Sequence, residues 1–135
     1  MDAIDRADSA ALVAPIAAVL AEIDGVPVIA DPTTVRRRSR DFFWYSPILT
    51  AQLAGKSADV VVTPRNEEDV IRVARACVRH GVPLTPRGAG TGNYGQAVPL
   101  QRGVLIDFSA MDKILWSKPG VVRVVNSIAV RGNVY

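Results

Sequence analysis

The chain has 135 residues, 49% of them hydrophobic and 21% charged, ordinary figures for one globular domain with a core of its own. A formal net charge of +3 is too small to imply nucleic-acid binding by itself, and the single cysteine, Cys77, excludes an intramolecular disulfide. No stretch is long and apolar enough to span a bilayer, and Asp2, Asp5 and Asp8 against Arg6 are wrong for a signal peptide, so a cytoplasmic location is expected, at most peripheral to an inner membrane through partners.

Residues 9–24 read as a helix, with Ser9 able to cap it, alanines and leucines filling it and Gly25 stopping it. Pro15 predicts a kink or a start inside that run. Residues 33–54 read as a second, irregular helical region ending at Gly55, and they carry Arg36-Arg37-Arg38-Ser39-Arg40 followed by Phe42-Phe43-Trp44-Tyr45. Basic and aromatic residues side by side can grip a single nucleic-acid strand. Here the patch is single and acidic residues are spread through the chain, so the better reading is a solvated arginine face with aromatics covering a sheet. No nucleic-acid partner is expected.

Ala58-Asp59-Val60-Val61-Val62 is a β-branched run suited to a buried strand, closed by Thr63-Pro64. Asn66 with Asp69 has the spacing of a helix cap, and Glu67 and Glu68 suit a helix N-terminus. Val70, Val73, Ala74, Cys77 and Val78 then form one apolar stripe, with Arg72, Arg75 and Arg79 off it. On that stripe Cys77 reads as a core filler. Gly81 ends the helix, His80 beside it is placed to cap carbonyls, and a strand at 82–85 completes a parallel βαβ unit. Further strands are expected near 103–108 and 121–125, with Asp107 and Asp112 flanking the former as turn and strand-end residues.

Between these strands lies Pro86-Arg87-Gly88-Ala89-Gly90-Thr91-Gly92-Asn93-Tyr94-Gly95-Gln96. Its glycines let backbone N–H groups approach a ligand closely, which suits an anion such as a diphosphate. Gly90 to Gly95 spell G-x-G-x-x-G, a dinucleotide fingerprint only when the motif leaves a strand and opens a helix. Pro99 and the lack of helical period over 96–103 deny it that helix, so a Rossmann unit is excluded and phosphate would meet loop amides. No carboxylate pair, metal-ligand cluster or nucleophile–base set can be assembled, so no catalytic or metal-binding residue is assigned.

The order of strand, Thr63-Pro64, capped helix, His80-Gly81-Val82-Pro83, Arg87-Gly88-Ala89-Gly90-Thr91-Gly92, strand, then Asp107-Phe108-Ser109-Ala110-Met111 resembles the FAD-linked oxidases of the vanillyl-alcohol oxidase/p-cresol methylhydroxylase type. Within that family it is most similar to the branch of glycolate oxidase subunits and D-lactate dehydrogenases. The resemblance covers roughly residues 41–125. It implies an α+β fold, the N-terminal part of a PCMH-type FAD-binding domain, with residues 1–54 as a helical lead-in and residues 55–135 as a partial FAD-binding domain. It also implies that Arg87, Gly88, Ala89, Gly90, Thr91, Gly92 and Asn93 wrap the FAD pyrophosphate, while Tyr94, Gly95 and Gln96 turn toward the flavin. Members with a histidine in this loop can attach flavin covalently; the loop here has none, so FAD is expected to be non-covalent. The complete enzyme would pass a hydride from a small 2-hydroxy acid to flavin N5. Past residue 125 the family pattern stops and the substrate domain does not follow, so a truncated product or fragment, inactive alone unless a second chain completes it, is expected. The alternative is a non-catalytic module that binds a nucleotide or a partner.

Overall fold

The computed structural model describes residues 3–113, with side chains from residue 13 onward. Helix α1 runs Ala3–Glu22, strand β1 Val28–Ile29 and helix α2 Pro32–Arg38. A 3-10 turn, Phe43–Tyr45, leads into α3, Pro47–Leu53. Then come β2 (Val60–Val62), α4 (Glu67–His80), β3 (Leu84–Arg87) and β4 (Val104–Asp107), followed by a second 3-10 turn, Phe108–Ala110. The fold is α+β, as expected. The strand proposed at 121–125 lies outside the described residues.

The helical lead-in differs from the sequence reading in two places. Helix α1 starts well before Ser9, so Ser9 lies inside it and is not its cap, and it passes through Pro15 without ending. The Ala- and Leu-rich run around the proline carries the helix past its one missing N–H. The region 33–54 is three short pieces, each with its own start. Asp31 accepts from the Thr34 N–H ahead of Pro32, and Ser46 accepts from the Leu49 N–H ahead of Pro47. Both follow the rule that proline suits the first turn of a helix, where its absent N–H has no partner to lose.

The sheet order is β1-β2-β4-β3, with β1 antiparallel to β2 and the other pairs parallel. The β2–α4–β3 unit is therefore parallel but split, because β4 inserts between its strands. Val60, Val61 and Val62 stand opposite Val104, Leu105 and Ile106. Alternation then divides them by face. Val60, Val62, Val104 and Ile106 pack under Ile16 and Val19 of α1, Ile23 just after it, and Val73, Ala76 and Cys77 of α4. Val61 and Leu105 pack with Val35 of α2, Ala58 and Ile29 on the other side. Both faces of the sheet are covered, which is why the central strands read as continuous apolar runs. Each fully buried Val, Leu or Ile in such a core contributes about 1.5–3 kcal/mol.

Helix α4 keeps its expected ends. Asn66 accepts from the Asp69 N–H at 2.8 Å, and Gly81 closes the helix at φ +63°. Its apolar stripe is shifted from the expected one: Ala76 is buried, whereas Val78 is 83% exposed. Asp69 is also buried, because its carboxylate reaches back to the Arg65 N–H and pairs with Arg72. His80 does not cap carbonyls. Its Nε2 meets the Glu22 carboxylate at 2.7 Å and, with Arg79, ties α4 to α1. Cys77 is buried as expected, and burial pushes its thiol up to about 11.

Candidate functional site

The sequence puts the strand at 82–85 and Arg87 in the loop that follows it. In the structure Arg87 is the last residue of β3, opposite Asp107 on β4. Pro86 fits the ladder because β3 is an edge strand among the described residues, where a missing N–H costs no pairing. The chain from 88 to 103 has no helix and no strand, yet it joins two adjacent parallel strands. The loop is thus itself the crossover, a job usually given to a helix.

The lead-in segment closes around the start of this loop. Ser39 is fully buried; its Oγ donates to the Val35 carbonyl and accepts from the Ala58 N–H, joining α2 to the entry of β2. Arg38 pairs at 2.8 Å with Asp107, whose other oxygen accepts from the Ser109 N–H. Arg87 Nη1 donates to the carbonyls of Arg38, at 2.8 Å, and Arg40, at 2.6 Å. Burial lowers the Arg87 pKa, with the neighbouring Asp107 opposing that effect. Arg87 is accordingly a half-buried strut between β3 and the lead-in.

The glycines of the loop have two kinds of neighbour. A Cβ at Gly88 would meet nothing, so that position is open. At Gly90, φ +68°, it would strike the Arg87 guanidinium; at Gly95, φ +79°, it would come 2.5 Å from Leu53 Cδ1. At Gly92 it would crowd the Gln96 amide and lie 3.2 Å from Asp41 Oδ2. Gly90 and Gly95 take left-handed backbone that a side chain would strain, whereas at Gly92 it is the end of the Gln96 side chain that would have to move. The Phe42 N–H donates to the Gly92 carbonyl at 2.8 Å, and Gln96 Oε1 accepts from the Tyr94 N–H at 3.0 Å. The far end is held by Asp59, which pairs with Arg102 and accepts from the Gly103 N–H at 2.7 Å, while its own N–H donates to the Gly103 carbonyl.

A cavity of about 720 Å³ opens between the lead-in and the start of the loop. Its size lies within the range of small-molecule and cofactor sites. Arg36, Arg37, Arg40, Lys56 and Arg87 bring positive charge to its lining, and Asp41 is the one carboxylate there. Arg40 lies over the Trp44 and Phe43 rings, 5.2 and 5.7 Å from their centroids. Cation–π contact of this kind holds the guanidinium in place at the rim. Of the ten loop residues singled out from the sequence, Arg87, Ala89 and Gly90 line the cavity. Gly88, Thr91, Gly92, Asn93, Tyr94, Gly95 and Gln96 lie outside its lining, and all of these except Gly92 and Gly95 are exposed. Sequence reasoning missed Asp41 and Asp59. Asp59 left a signal, a carboxylate interrupting a β-branched run; Asp41 left none.

Positive charge, exposed loop amides and an open glycine at the C-terminal end of a parallel strand suit the diphosphate of a nucleotide cofactor. The fold and site define an α+β nucleotide-binding domain. Residues 58–131 match the family of FAD binding domains, and the chain belongs to that family. FAD is thus its cofactor. The chain is 39% identical over 57 residues to glycolate oxidase subunit GlcD of Bacillus subtilis, a match covering 42% of this chain and 12% of that protein. It is likewise 39% identical over 56 residues to the mitochondrial cytochrome D-lactate dehydrogenase of Arabidopsis thaliana, covering 42% of this chain and 10% of that one. The fold is shared with p-cresol methylhydroxylase at a TM-score of 0.55 and 19% identity, over 84% of this chain and 21% of that structure. The chain therefore corresponds to a small part of each of these proteins. The cationic wall at 36–57 precedes the residues matched to the family.

Proposed function

We propose that this chain is the FAD-binding portion of a flavin-dependent oxidoreductase acting on a 2-hydroxy acid of the glycolate or D-lactate type. The observation that carries the reading is the cationic cavity beside an open glycine loop, in a chain of the FAD binding domain family. In this reading Arg87, Gly88, Ala89, Gly90, Thr91, Gly92 and Asn93 surround the diphosphate, with Tyr94, Gly95 and Gln96 toward the flavin ring. Residues 1–54 serve as lead-in and residues 55–135 as part of the FAD domain. The substrate class is supported by the relatives' names and by the resemblance of residues 41–125. When bound, the flavin supplies a hydride acceptor at N5; this chain contributes binding and orientation. Flavin is held without a covalent bond, since the loop has no histidine and His80 is engaged by Glu22. The substrate's acid/base partners are not assigned to this chain.

Quenching of flavin fluorescence on titration with the purified chain tests the cofactor site. Saturable binding that weakens at least tenfold when Arg37 and Lys56 are both changed to Glu is expected. Binding indifferent to that charge reversal would refute this site. Denatured protein should release all its flavin into the supernatant. Anaerobic bleaching of the flavin by D-lactate or glycolate, in the oxidoreductase that contains this portion, tests the substrate class.

A further inference from the structure

Asp41 is 2% exposed, and only half of its carboxylate is used. Oδ1 accepts from the Phe43 N–H at 3.0 Å. Oδ2 is the buried side-chain polar atom that finds no hydrogen-bond partner among the described residues. Leaving such an oxygen unmatched is costly, and more so when it carries charge. Two neighbouring bonds hold it there: the Arg40 carbonyl is fixed by Arg87, and the Phe42 N–H is fixed on the Gly92 carbonyl. Asp41 also lines the cavity, and its Oδ2 faces the loop at Gly92, where a Cβ would lie 3.2 Å away.

A carboxylate in a cationic wall weakens the hold of that wall on an anion. It is useful only to a ligand that brings a hydrogen-bond donor alongside its negative charge. On the proposed FAD reading, the groups that flank a diphosphate are the hydroxyls of the ribityl chain and of the adenosine ribose. We propose that Asp41 Oδ2 accepts a hydrogen bond from a sugar-alcohol hydroxyl adjacent to the cofactor diphosphate, so that the site selects a polyol diphosphate over a bare one. Asp41 lies outside the residues matched to the family, so this contact belongs to the lead-in of this chain.

The test is calorimetric titration of the full chain and its Asp41→Asn variant with FAD, FMN, ADP and inorganic pyrophosphate. Asparagine keeps an oxygen for the Phe43 N–H but can set an N–H₂ where Oδ2 stood. FAD binding should weaken about tenfold, the scale of one charge-assisted hydrogen bond. Pyrophosphate should bind the variant as well as, or better than, the wild type. Alongside the loss for FAD, weakening of FMN but not ADP assigns the ribityl hydroxyls, and weakening of ADP but not FMN assigns the ribose. Equal loss for FAD and pyrophosphate would mean that Asp41 only shapes the loop, and unchanged FAD binding would mean that it touches no ligand; either overturns the proposal. A wild-type chain that binds pyrophosphate but not FAD removes the cofactor reading, and this inference with it. Should the variant fail to fold, wild-type binding of FAD analogues deoxygenated in the ribityl chain or the ribose reads the same contact. Full affinity for every such analogue refutes it.

Discussion

Arg87 and Gly90 should behave as one unit, and a double-mutant cycle measures this. Arg87→Ala removes two charge-assisted hydrogen bonds, to the carbonyls of Arg38 and Arg40. Such bonds contribute about 1.5–3 kcal/mol each, and the one at Arg40, where water can replace the donor, counts at the low end, so the variant loses about 3 kcal/mol. At this chain length that corresponds to a fall in Tm of about 10 °C. Gly90→Ala in the wild type meets two obstacles, a φ of +68° and the Arg87 guanidinium in the space its Cβ would take. The left-handed backbone alone costs about 1–2 kcal/mol. Displacing the guanidinium forfeits part of the bonds it makes. In the Arg87→Ala background that second cost is already spent, so Gly90→Ala should show only the backbone strain. Chemical denaturation of the four proteins should give a coupling energy of about 1–2 kcal/mol, the double variant being less destabilised than the sum of the singles. Additivity within about 0.5 kcal/mol would refute the claim that the glycine exists partly for the arginine.

Three further outcomes are expected. Arg38→Ala leaves fully buried Asp107 without its ion-pair partner, a change that typically costs about 3–5 kcal/mol and should come in near the lower figure because Arg38 is partly exposed; adding Asp107→Asn should recover part of the lost Tm. Glu22 is held below its usual 4.5, first by its hydrogen bond to His80, so the folded state takes up fewer protons than the unfolded chain. Its stabilising effect is complete above pH 4.5 and is lost as the pH falls below it; Glu22→Gln should flatten the acid limb of the stability profile read by circular dichroism. The Cys77 thiol, buried and raised to about 11, should not react with a disulfide reagent at pH 8 until denaturant unfolds the chain, whereas rapid labelling of native protein would contradict its place in the core.

Much of the local architecture was legible in the sequence. The β-branched run at 58–62, the Asn66 cap, the Gly81 stop and the run at 104–107 are governed by neighbours within a few positions, through backbone preference, capping and periodicity. The glycine loop and the signatures around it were equally local, and they carried the family. Only the tertiary structure decided how the strands pair. The insertion of β4 between β2 and β3, and the use of a helix-free loop as a parallel crossover, depend on contacts between distant segments that no local pattern encodes. The same holds for the site. Periodicity put Val78 on the buried stripe, but the direction from which α1 packs on α4 buries Ala76 instead. The anchoring role of Arg87 leaves no trace in the sequence because its partners, the carbonyls of Arg38 and Arg40, lie some fifty positions away in the chain and have no side-chain signature. Asp41 was silent for the same reason: a carboxylate becomes informative only when folding buries it beside a cationic cavity and leaves one oxygen unmatched.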